Sequence, residues 1–495
     1  MQPAAASALS SPHARQYRRR EPETSTLYAV LQQQLETFLA QAHHHGDGFP
    51  RFVERELRAF LKCGILAHGF ARVHCPDCHH ERLVAFSCKG RGFCPSCCGK
   101  RMTRIAEHLV ERVMPVVAVR QWVLTVPPGL RYRLAYDHAL CTKVLGVFSR
   151  ALLASYRRRA RERGITGGQT GAVTLIQRFG SALNLNVHFH TQVLDGVFTE
   201  QPCGTLRFHA LPPPTDTEVQ DVVEEVACCV RGLLGPDGIG EADALDPCAV
   251  DTPLLAACYA GAATQRTALG PRAGRSPPRI GARPGAPFVE HHRNCHARLD
   301  GFDLHAAVHV PAHARARLEQ LLRYCARPAL SHDRLEPSGD GRLRLALKTP
   351  WHDGTTHLLL TADELLQRLV ALIPRPAKNL LVYHGVLAPN SKWRRRVVLH
   401  QRPVPAAADS CHAHLTPAAS IDRPHRSNGD WARLMQRAFD IDVLHCPQCG
   451  GRMRLLALIQ STHSARRILR HLGLRDHAPP ITRAKSSTFD FDDVA

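Results

Sequence analysis

Long apolar runs are absent from this sequence. No window approaches the roughly 18 consecutive apolar residues that a membrane-spanning helix needs. The first residues also lack the apolar core of a signal peptide and carry the basic run Arg18-Arg19-Arg20 instead. We therefore expect a cytoplasmic protein with no membrane partner, in which the 18 cysteines serve as thiols and metal ligands rather than as disulfides.

Lysine is also scarce, because only eight of the 64 basic residues are lysines and the others are arginines. Codon usage in a GC-rich genome explains a preference for arginine, but it does not explain a formal net charge of +21. Such an excess of positive charge indicates a polyanionic partner. The length of 495 residues allows about three domains, and a hydrophobic content of 44% allows at least one sizeable core.

The densest group of cysteines contains two Cys-x-x-Cys pairs separated by 15 residues, Cys75-Pro76-Asp77-Cys78 and Cys94-Pro95-Ser96-Cys97. This spacing is typical of a zinc ribbon, in which each pair forms a tight turn and four thiolates surround one tetrahedral Zn²⁺. We therefore predict a structural zinc site at Cys75, Cys78, Cys94 and Cys97, with reduced, unliganded thiols as the alternative. A zinc module in a basic protein commonly contributes to nucleic-acid binding.

The roles of four further cysteines stay open at this point. Cys63 and Cys88 either complete a second site or replace one of the four ligands. The late pair Cys446-Pro447-Gln448-Cys449 is half of a zinc site, which His445 or His463 would complete.

Residues 183–194, with the sequence LNLNVHFHTQVL, alternate between apolar and polar side chains, as expected for a β-strand with one buried face. The polar face carries His188 and His190, flanked by Asn184, Asn186 and Gln192. Neutral imidazoles two residues apart on one strand face can bind a divalent ion together. Such an ion can polarise a phosphate oxygen for in-line attack. The alternative is a pair of strand histidines that face solvent or each other.

A helix is predicted from Ala312 to Ala326, opened by Pro311 and closed by Pro328. Its apolar stripe consists of Leu318, Leu321, Leu322 and Cys325. Tyr324 lies roughly 110° from that stripe, on a polar face that it shares with Arg317, Gln320 and Arg327. A tyrosine phenol can attack a phosphodiester and form a phosphotyrosine ester, which preserves the bond energy for later rejoining. The alternative is an ordinary amphipathic tyrosine at a domain surface.

The remaining pattern predicts an α+β protein with a mainly antiparallel sheet. Strands are expected at residues 122–126, 172–176 and 302–310, and Asp195-Gly196 is expected to turn a hairpin. A helix from about Glu218 to Leu234 should bury Cys228 and Cys229. The predicted organisation is a basic disordered lead (1–26), a helical and zinc-binding DNA-recognition domain (27–114), a catalytic domain (115–400) with a flexible insertion (261–287), a linker (401–430), a small Cys-x-x-Cys module (431–477) and a disordered tail (478–495).

Taken together, the motifs resemble those of the insertion sequence 91 transposases and occur in the same order. They are the four paired cysteines with Phe86-Ser87-Cys88-Lys89, Asn186-Val187-His188-Phe189-His190 running into Leu194-Asp195-Gly196-Val197-Phe198, Arg323-Tyr324-x-Ala326-Arg327-Pro328, and His384-Gly385-Val386-Leu387-Ala388-Pro389-Asn390. The resemblance covers about residues 30–400, and the late module resembles the tail of common-region transposases. Pro328 stands where some relatives carry a second tyrosine, so the chain resembles the single-tyrosine branch.

This resemblance implies an HUH endonuclease fold, which is a ferredoxin-like antiparallel sheet with flanking helices, together with an N-terminal zinc-ribbon module. It implies rolling-circle DNA transposition in which His188 and His190 bind Mg²⁺ or Mn²⁺. Tyr324 would then nick a single DNA strand at the element's end and leave a 5′-phosphotyrosine link and a free 3′-OH. The protein is expected in the bacterial cytoplasm, associated with the nucleoid. We expect DNA contacts from Arg317, Arg323, Arg327, Lys392, Arg394 and Arg395.

Two other functions fit parts of the sequence. A plasmid rolling-circle replication initiator or relaxase would share the histidine pair and the tyrosine but act at a replication or transfer origin. A non-catalytic zinc-ribbon DNA-binding protein would explain the charge and the cysteines but not the polar histidine face. Three properties stay open: the third ligand of the catalytic metal, the DNA sequences recognised and the oligomeric state. Gln192 shares the histidine face and is one candidate for the third ligand.

Overall fold

The computed structural model describes residues 20–44, 46–235, 246–283, 294–401 and 442–485. The chain divides into two compact units. The first unit comprises Met1–Glu23, Lys62–Cys88 and Pro405–Pro479, and the second comprises Thr24–Leu61, Lys89–Val404 and Pro480–Ala495. The predicted lead, linker and tail lie partly outside the described residues, which omit 1–19, 402–441 and 486–495.

The α-helices are α1 (Thr26–His44), α2 (Arg51–Phe60), α3 (Pro95–Arg112), α4 (Pro128–Tyr136), α5 (His138–Arg161), α6 (Asp216–Leu234), α7 (Pro247–Asp251), α8 (Pro253–Thr264), α9 (Arg315–Cys325), α10 (Ala362–Leu372), α11 (Arg394–Leu399) and α12 (Thr462–His471). The strands are β1 (Phe70–His74), β2 (Glu81–Ala85), β3 (Val119–Thr125), β4 (Gly171–Phe179), β5 (Leu185–Leu194), β6 (Gly196–Glu200), β7 (Leu206–Ala210), β8 (Arg279–Ile280), β9 (His296–Leu299), β10 (Phe302–Val310), β11 (Leu335–Pro337), β12 (Leu343–Ala346), β13 (His357–Leu360), β14 (Leu381–Gly385) and β15 (Arg454–Ile459).

The second unit is built on a six-stranded sheet with the order β14-β4-β5-β3-β10-β9. Every neighbouring pair in it is antiparallel. The histidine strand β5 lies inside this sheet, paired with β4 on one side and with β3 on the other. The predicted mixed α/β character with an antiparallel sheet is therefore confirmed.

One face of the sheet carries the apolar side chains of β5 and is covered by α5. Phe189 is fully buried and stacks on Phe148 of α5, with the ring centroids 6.4 Å apart. Asp137 caps α5 by accepting a hydrogen bond from the backbone N–H of Leu140, which satisfies one of the unpaired donors of the first turn. By length and composition α5 could cross a membrane, but most of it is buried inside this unit.

The opposite face carries the polar side chains of β5 and is covered by α3 and α9. Leu318, Leu322 and Cys325 of α9 are buried against Val173 and Leu175 of β4. Burying a leucine side chain stabilises a fold by about 2 kcal/mol relative to its exposure to water. The apolar stripe predicted for the tyrosine helix therefore positions α9 on the histidine face. The helix begins at Arg315, three residues later than predicted, so Pro311 precedes it instead of opening it.

The chain leaves the sheet at Asp195, which makes the hairpin predicted at Asp195-Gly196 wrong. β6 pairs with β7 in a separate two-stranded sheet. Both edges of β5 are already occupied by β3 and β4, so a returning strand has no free edge to pair with. Asp195 is buried and forms a salt bridge of 2.9 Å with Arg120, and it accepts a hydrogen bond from the Tyr156 hydroxyl.

Parts of two segments predicted as flexible or disordered have defined contacts. Within 261–287, α8 continues to Thr264, β8 pairs with β13, and Thr267 donates a hydrogen bond to the buried Glu364. In the tail, the backbone N–H of Thr482 donates to the carbonyl of Gln32 on α1. These contacts are polar and distant in sequence, so hydrophobic periodicity does not reveal them.

Cys228 and Cys229 are exposed on α6 rather than buried as predicted.

The first unit contains a three-stranded sheet with the order β15-β1-β2. β1 lies in the middle and pairs antiparallel with β2 and with β15 from the late segment. A small core joins the same two parts of the chain, because Ala465 and Leu469 of α12 pack with Phe70 and Leu83.

Candidate active site

The histidine pair of β5 is buried and its imidazoles converge. His188 and His190 are 8% and 5% exposed, and their Nε2 atoms lie 3.0 Å apart. Nδ1 of His188 lies 2.7 Å from the carbonyl oxygen of Asn186, and Nδ1 of His190 lies 2.7 Å from the side-chain amide of Gln121 on β3. Each ring is thus held from its Nδ1 side, which leaves the two Nε2 atoms facing one another.

Both imidazoles are neutral at physiological pH. Burial lowers the pKa of His188 to about 4, and Arg131 and Arg327 lower it further, against the opposing effect of the Asn186 carbonyl. Burial, the neighbouring His188 and the cations Arg327 and Lys348 hold the pKa of His190 well below its usual range. A neutral imidazole has the lone pair that a metal ion requires.

The residues around the pair fit a divalent cation. Two cis ligands about 2.1 Å from an octahedral ion stand about 3.0 Å apart, which matches the separation of the Nε2 atoms. The same strand carries two buried amide oxygens, Asn186 Oδ1 and Gln192 Oε1, that have no hydrogen-bond partner among the described residues. Imidazole ligands suit Mn²⁺ better than Mg²⁺, which prefers oxygen. For His190 to present an Nε2 lone pair, Gln121 must turn its amide oxygen toward Nδ1.

Among the described residues, no third histidine, cysteine or carboxylate lies with the pair. The groups of three or more potential metal ligands in this part of the chain consist of cysteines. Gln192 is fully buried on the same face, but its amide nitrogen lies 3.4 Å from the sulfur of Cys325.

Tyr324 lies over the histidine pair. Its ring stands nearly perpendicular to that of His190, at 86° with the centroids 6.1 Å apart. The side-chain amide of Gln177 on β4 donates to the carbonyl of Cys325 at 2.6 Å and to that of Tyr324 at 3.3 Å, which fixes the last turn of α9. The tyrosine is 41% exposed, so its phenol is accessible to a large substrate.

Two cations flank the tyrosine ring. Nζ of Lys348 lies 3.8 Å from the ring centroid, and Cζ of Arg327 lies 4.9 Å from it. The buried Nε of Arg327 has no hydrogen-bond partner among the described residues. Cations placed beside a phenol in this way attract a phosphate to it.

A cleft of about 370 Å³ opens beside the end of α9. Its polar lining is strongly cationic and consists mainly of Arg91, Arg101, Arg178, Arg327 and Lys378. Arg178 is tied into the fold by hydrogen bonds to the carbonyls of Ala135 and Ala371, whereas Lys378 is exposed. The cleft has the charge expected of a path for a nucleic-acid backbone.

The other predicted DNA-binding residues fall into two sets. Arg317, Lys392 and Arg395 are exposed. Arg323 is paired with Glu319 at 2.9 Å, and Arg394 stacks on Tyr383 and donates to the Leu387 carbonyl. Arg323 and Arg394 therefore make contacts within the protein.

Sequence reasoning missed Gln121, Gln177 and Lys348. The two glutamines interrupt apolar strands, Val119–Thr125 and Gly171–Phe179, and a buried amide in such a strand indicates a specific partner. Lys348 carries no local signal, because its approach to Tyr324 depends on how distant segments pack.

An acid-sensitive group lies elsewhere in the sheet. Burial lowers the pKa of His384 to about 4, and its Nε2 lies 3.0 Å from the hydroxyl of Thr174. Because the unfolded chain binds this proton near pH 6.5 and the native state does not, acidification favours unfolding between about pH 6.5 and pH 4. We expect His384 to reduce the free energy of unfolding at pH 5 by up to about 2 kcal/mol relative to pH 7.

This expectation is checked by urea denaturation at pH 5 and pH 7. The His384→Gln variant should lose less stability on acidification than the wild-type protein, and the exposed control His313→Gln should behave like the wild type. An unchanged pH dependence in His384→Gln would contradict the assignment.

The first unit contains a group of four cysteines, Cys75, Cys78, Cys446 and Cys449, whose sulfur atoms all lie within 4.8 Å of one another. The prediction that Cys75 and Cys78 share a site with Cys94 and Cys97 is therefore wrong, because Cys75 and Cys78 lie with the late pair. The prediction that His445 or His463 completes the late pair is wrong for the same reason. Cys94 and Cys97 belong to the second unit, where Cys94 precedes α3 and Cys97 lies in its first turn.

Comparison with protein families gives two matches. A family model described as "Transposase zinc-binding domain" matches residues 30–126, and one described as "Putative transposase" matches residues 171–226 and 278–395. Comparisons with curated proteins and with solved structures found no match. The matched regions together make up more than half of the chain and contain the early cysteine pairs, the histidine pair and Tyr324. The chain therefore belongs to the insertion sequence 91 family of transposases, DNA-processing enzymes with structural zinc.

Proposed function

We propose that this transposase cuts and rejoins single DNA strands in rolling-circle transposition, with an HUH-type catalytic domain and Tyr324 as the nucleophile. The observation that carries the proposal is the placement of an accessible tyrosine over a neutral, convergent histidine pair on an interior strand. The enzyme would act on DNA in the bacterial cytoplasm, next to the nucleoid.

The cutting step exchanges one phosphate ester for another. The Oη atom of Tyr324 attacks the phosphorus, the bond between phosphorus and the 3′ oxygen breaks, and the phenolic proton is lost to water while the leaving oxygen takes up a proton. The products are a 5′-phosphotyrosine ester and a free 3′-OH. Because the number of phosphate ester bonds is conserved, a 3′-OH of another strand can reverse the step without an external energy source.

The chain's own residues position the reacting groups. Gln177 fixes the turn that carries Tyr324, and Gln121 orients His190. A Mn²⁺ or Mg²⁺ ion held by His188 and His190 would supply polarisation of a phosphate oxygen. Lys348 and Arg327 would hold the phosphate at the phenol, and the cationic cleft beside α9 would bind the neighbouring backbone.

The proposal is tested by incubating the full-length protein with labelled single-stranded oligonucleotides that tile the DNA on both sides of its coding sequence, in the presence of Mn²⁺. A covalent protein–DNA adduct should appear on a denaturing gel, and peptide mapping should place the nucleotide on Tyr324. A failure to form an adduct with any oligonucleotide, or an adduct that maps elsewhere, would overturn the proposal.

Replacing Lys348 should slow the reaction without preventing DNA binding. Lys348→Ala removes one cation from the tyrosine and is expected to lower the rate of adduct formation about 10- to 100-fold. Lys348→Arg keeps the charge and should retain most of the rate. The control Lys143→Ala removes an exposed lysine of α5, across the sheet, and should have no effect. Equal rates for Lys348→Ala and wild type would exclude this role.

The zinc ligands outside the first unit's cysteine group also belong to this proposal. Cys75 and Cys78 lie with Cys446 and Cys449. Cys63, Cys88, Cys94 and Cys97 all fall within the matched zinc-binding region, and each stays a candidate zinc ligand. Exposed Arg317, Lys392 and Arg395 remain candidates for DNA contact.

A further inference from the structure

The cysteine group of the first unit has the spacing of a tetrahedral metal site. The sulfurs of Cys75 and Cys449 lie 3.4 Å apart, and those of Cys78 and Cys446 lie 3.5 Å apart. Both separations are far longer than the roughly 2.05 Å of a disulfide. They are close to the spacing of about 3.8 Å that four thiolates adopt around Zn²⁺ with zinc–sulfur bonds of about 2.3 Å.

The two Cys-x-x-Cys segments have the same local fold. In the first, the backbone N–H of His79 donates to the carbonyl of Cys75 at 3.0 Å, and in the second Gly450 donates to Cys446 at 3.0 Å. Each turn therefore presents its two thiols on one side. The segments also fit closely against each other, because a Cβ atom at Gly451 would come 2.1 Å from the carboxylate of Asp77.

Contacts independent of the thiols hold the late segment in this place. β15 pairs with β1 from Phe70↔Ile459 to His74↔Arg454. The guanidinium of Arg82 on β2 donates to the carbonyls of Asp442, Val443 and His445, at 3.0–3.2 Å. Arg82 therefore fixes the backbone that leads into Cys446 without a contribution from a metal ion. The four thiols are brought together by the fold of the unit.

We propose that Cys75, Cys78, Cys446 and Cys449 bind one Zn²⁺, which closes the late segment onto residues 62–88 in a single zinc module. Zinc binding converts the four thiols to thiolates and releases their protons. The late segment, which neither family match covers, is then a structural part of the zinc module. This inference goes beyond strand cutting and does not depend on Tyr324.

The first test is the zinc content of paired variants of the full-length protein, measured by mass spectrometry of the metal. C75S/C78S and C446S/C449S should each lose one zinc ion per chain, and the fourfold variant should lose no more than either pair. The control C228S/C229S replaces two neighbouring exposed cysteines of α6 and should keep its full zinc content. If C446S/C449S keeps all its zinc, or if the losses add, the shared site is excluded.

The second test uses the unaltered protein, so it does not depend on the folding of a variant. Alkylation with N-ethylmaleimide is followed at each cysteine by peptide mass spectrometry, before and after a chelator is added. Cys446 and Cys449 should be protected until zinc is removed and should then react together with Cys75 and Cys78. Cys449 and Cys228 are both exposed, so Cys449 reacting as fast as Cys228 in the zinc-loaded protein would overturn the proposal.

Discussion

The Tyr324→Phe variant is expected to form no detectable covalent adduct with single-stranded DNA, a loss on the order of 1,000-fold or more in rate. The change removes only the phenolic oxygen, which is the atom that would bond to phosphorus. The ring remains, so its contacts with Lys348, Arg327 and His190 are preserved and α9 keeps its place. DNA affinity should therefore stay close to that of the wild-type protein.

Adduct formation is measured under single-turnover conditions with the labelled oligonucleotide that the wild-type enzyme cuts fastest. Tyr383→Phe is the matched control, because this tyrosine packs into the same core cluster but lies on β14, which β4 separates from the histidine strand, with Arg394 against its ring. It should react at the wild-type rate. An adduct that persists in Tyr324→Phe would mean that another residue is the nucleophile.

Replacing the histidine pair should give the second large effect. Nicking by His188→Ala/His190→Ala is expected to fall on the order of 1,000-fold, while salt-sensitive DNA binding remains, because the cationic residues of the second unit are unchanged. Each single replacement should lower the nicking rate nearly as much as the double replacement, because one imidazole cannot hold the ion that the two hold together. Such non-additivity distinguishes a shared ion from two independent contributions.

The histidine variants need a check for folding, since both side chains are buried and their removal leaves a cavity. Thermal unfolding should therefore accompany every rate, and His188→Gln and His190→Gln, which fill more of the space, should show the same loss of nicking. The exposed control His313→Ala should leave the rate unchanged. Metal-dependent nicking at wild-type rate in the double variant would refute a metal role for this pair.

Local patterns predicted several elements of this transposase well. Alternation along β5 predicted a strand with the two histidines on one face, because successive side chains of any strand point to opposite sides. The apolar stripe of Leu318, Leu322 and Cys325 predicted the buried side of the tyrosine helix for the corresponding reason. Where contacts between distant polar groups order the chain, as between Thr267 and Glu364, the sequence offered no comparable signal.

The sequence by itself determined which residues could do chemistry: it identified the histidine face, the tyrosine on a polar helix face and the three Cys-x-x-Cys turns. These features are local, since they follow from backbone periodicity and short spacing. Only the tertiary structure decided which of them meet. Gln177 and Cys325 bring α9 over β5, and the pairing of β15 with β1 carries Cys446 and Cys449 to Cys75 and Cys78. Such meetings depend on competition for strand edges and on distant polar contacts, which spacing along the chain does not encode.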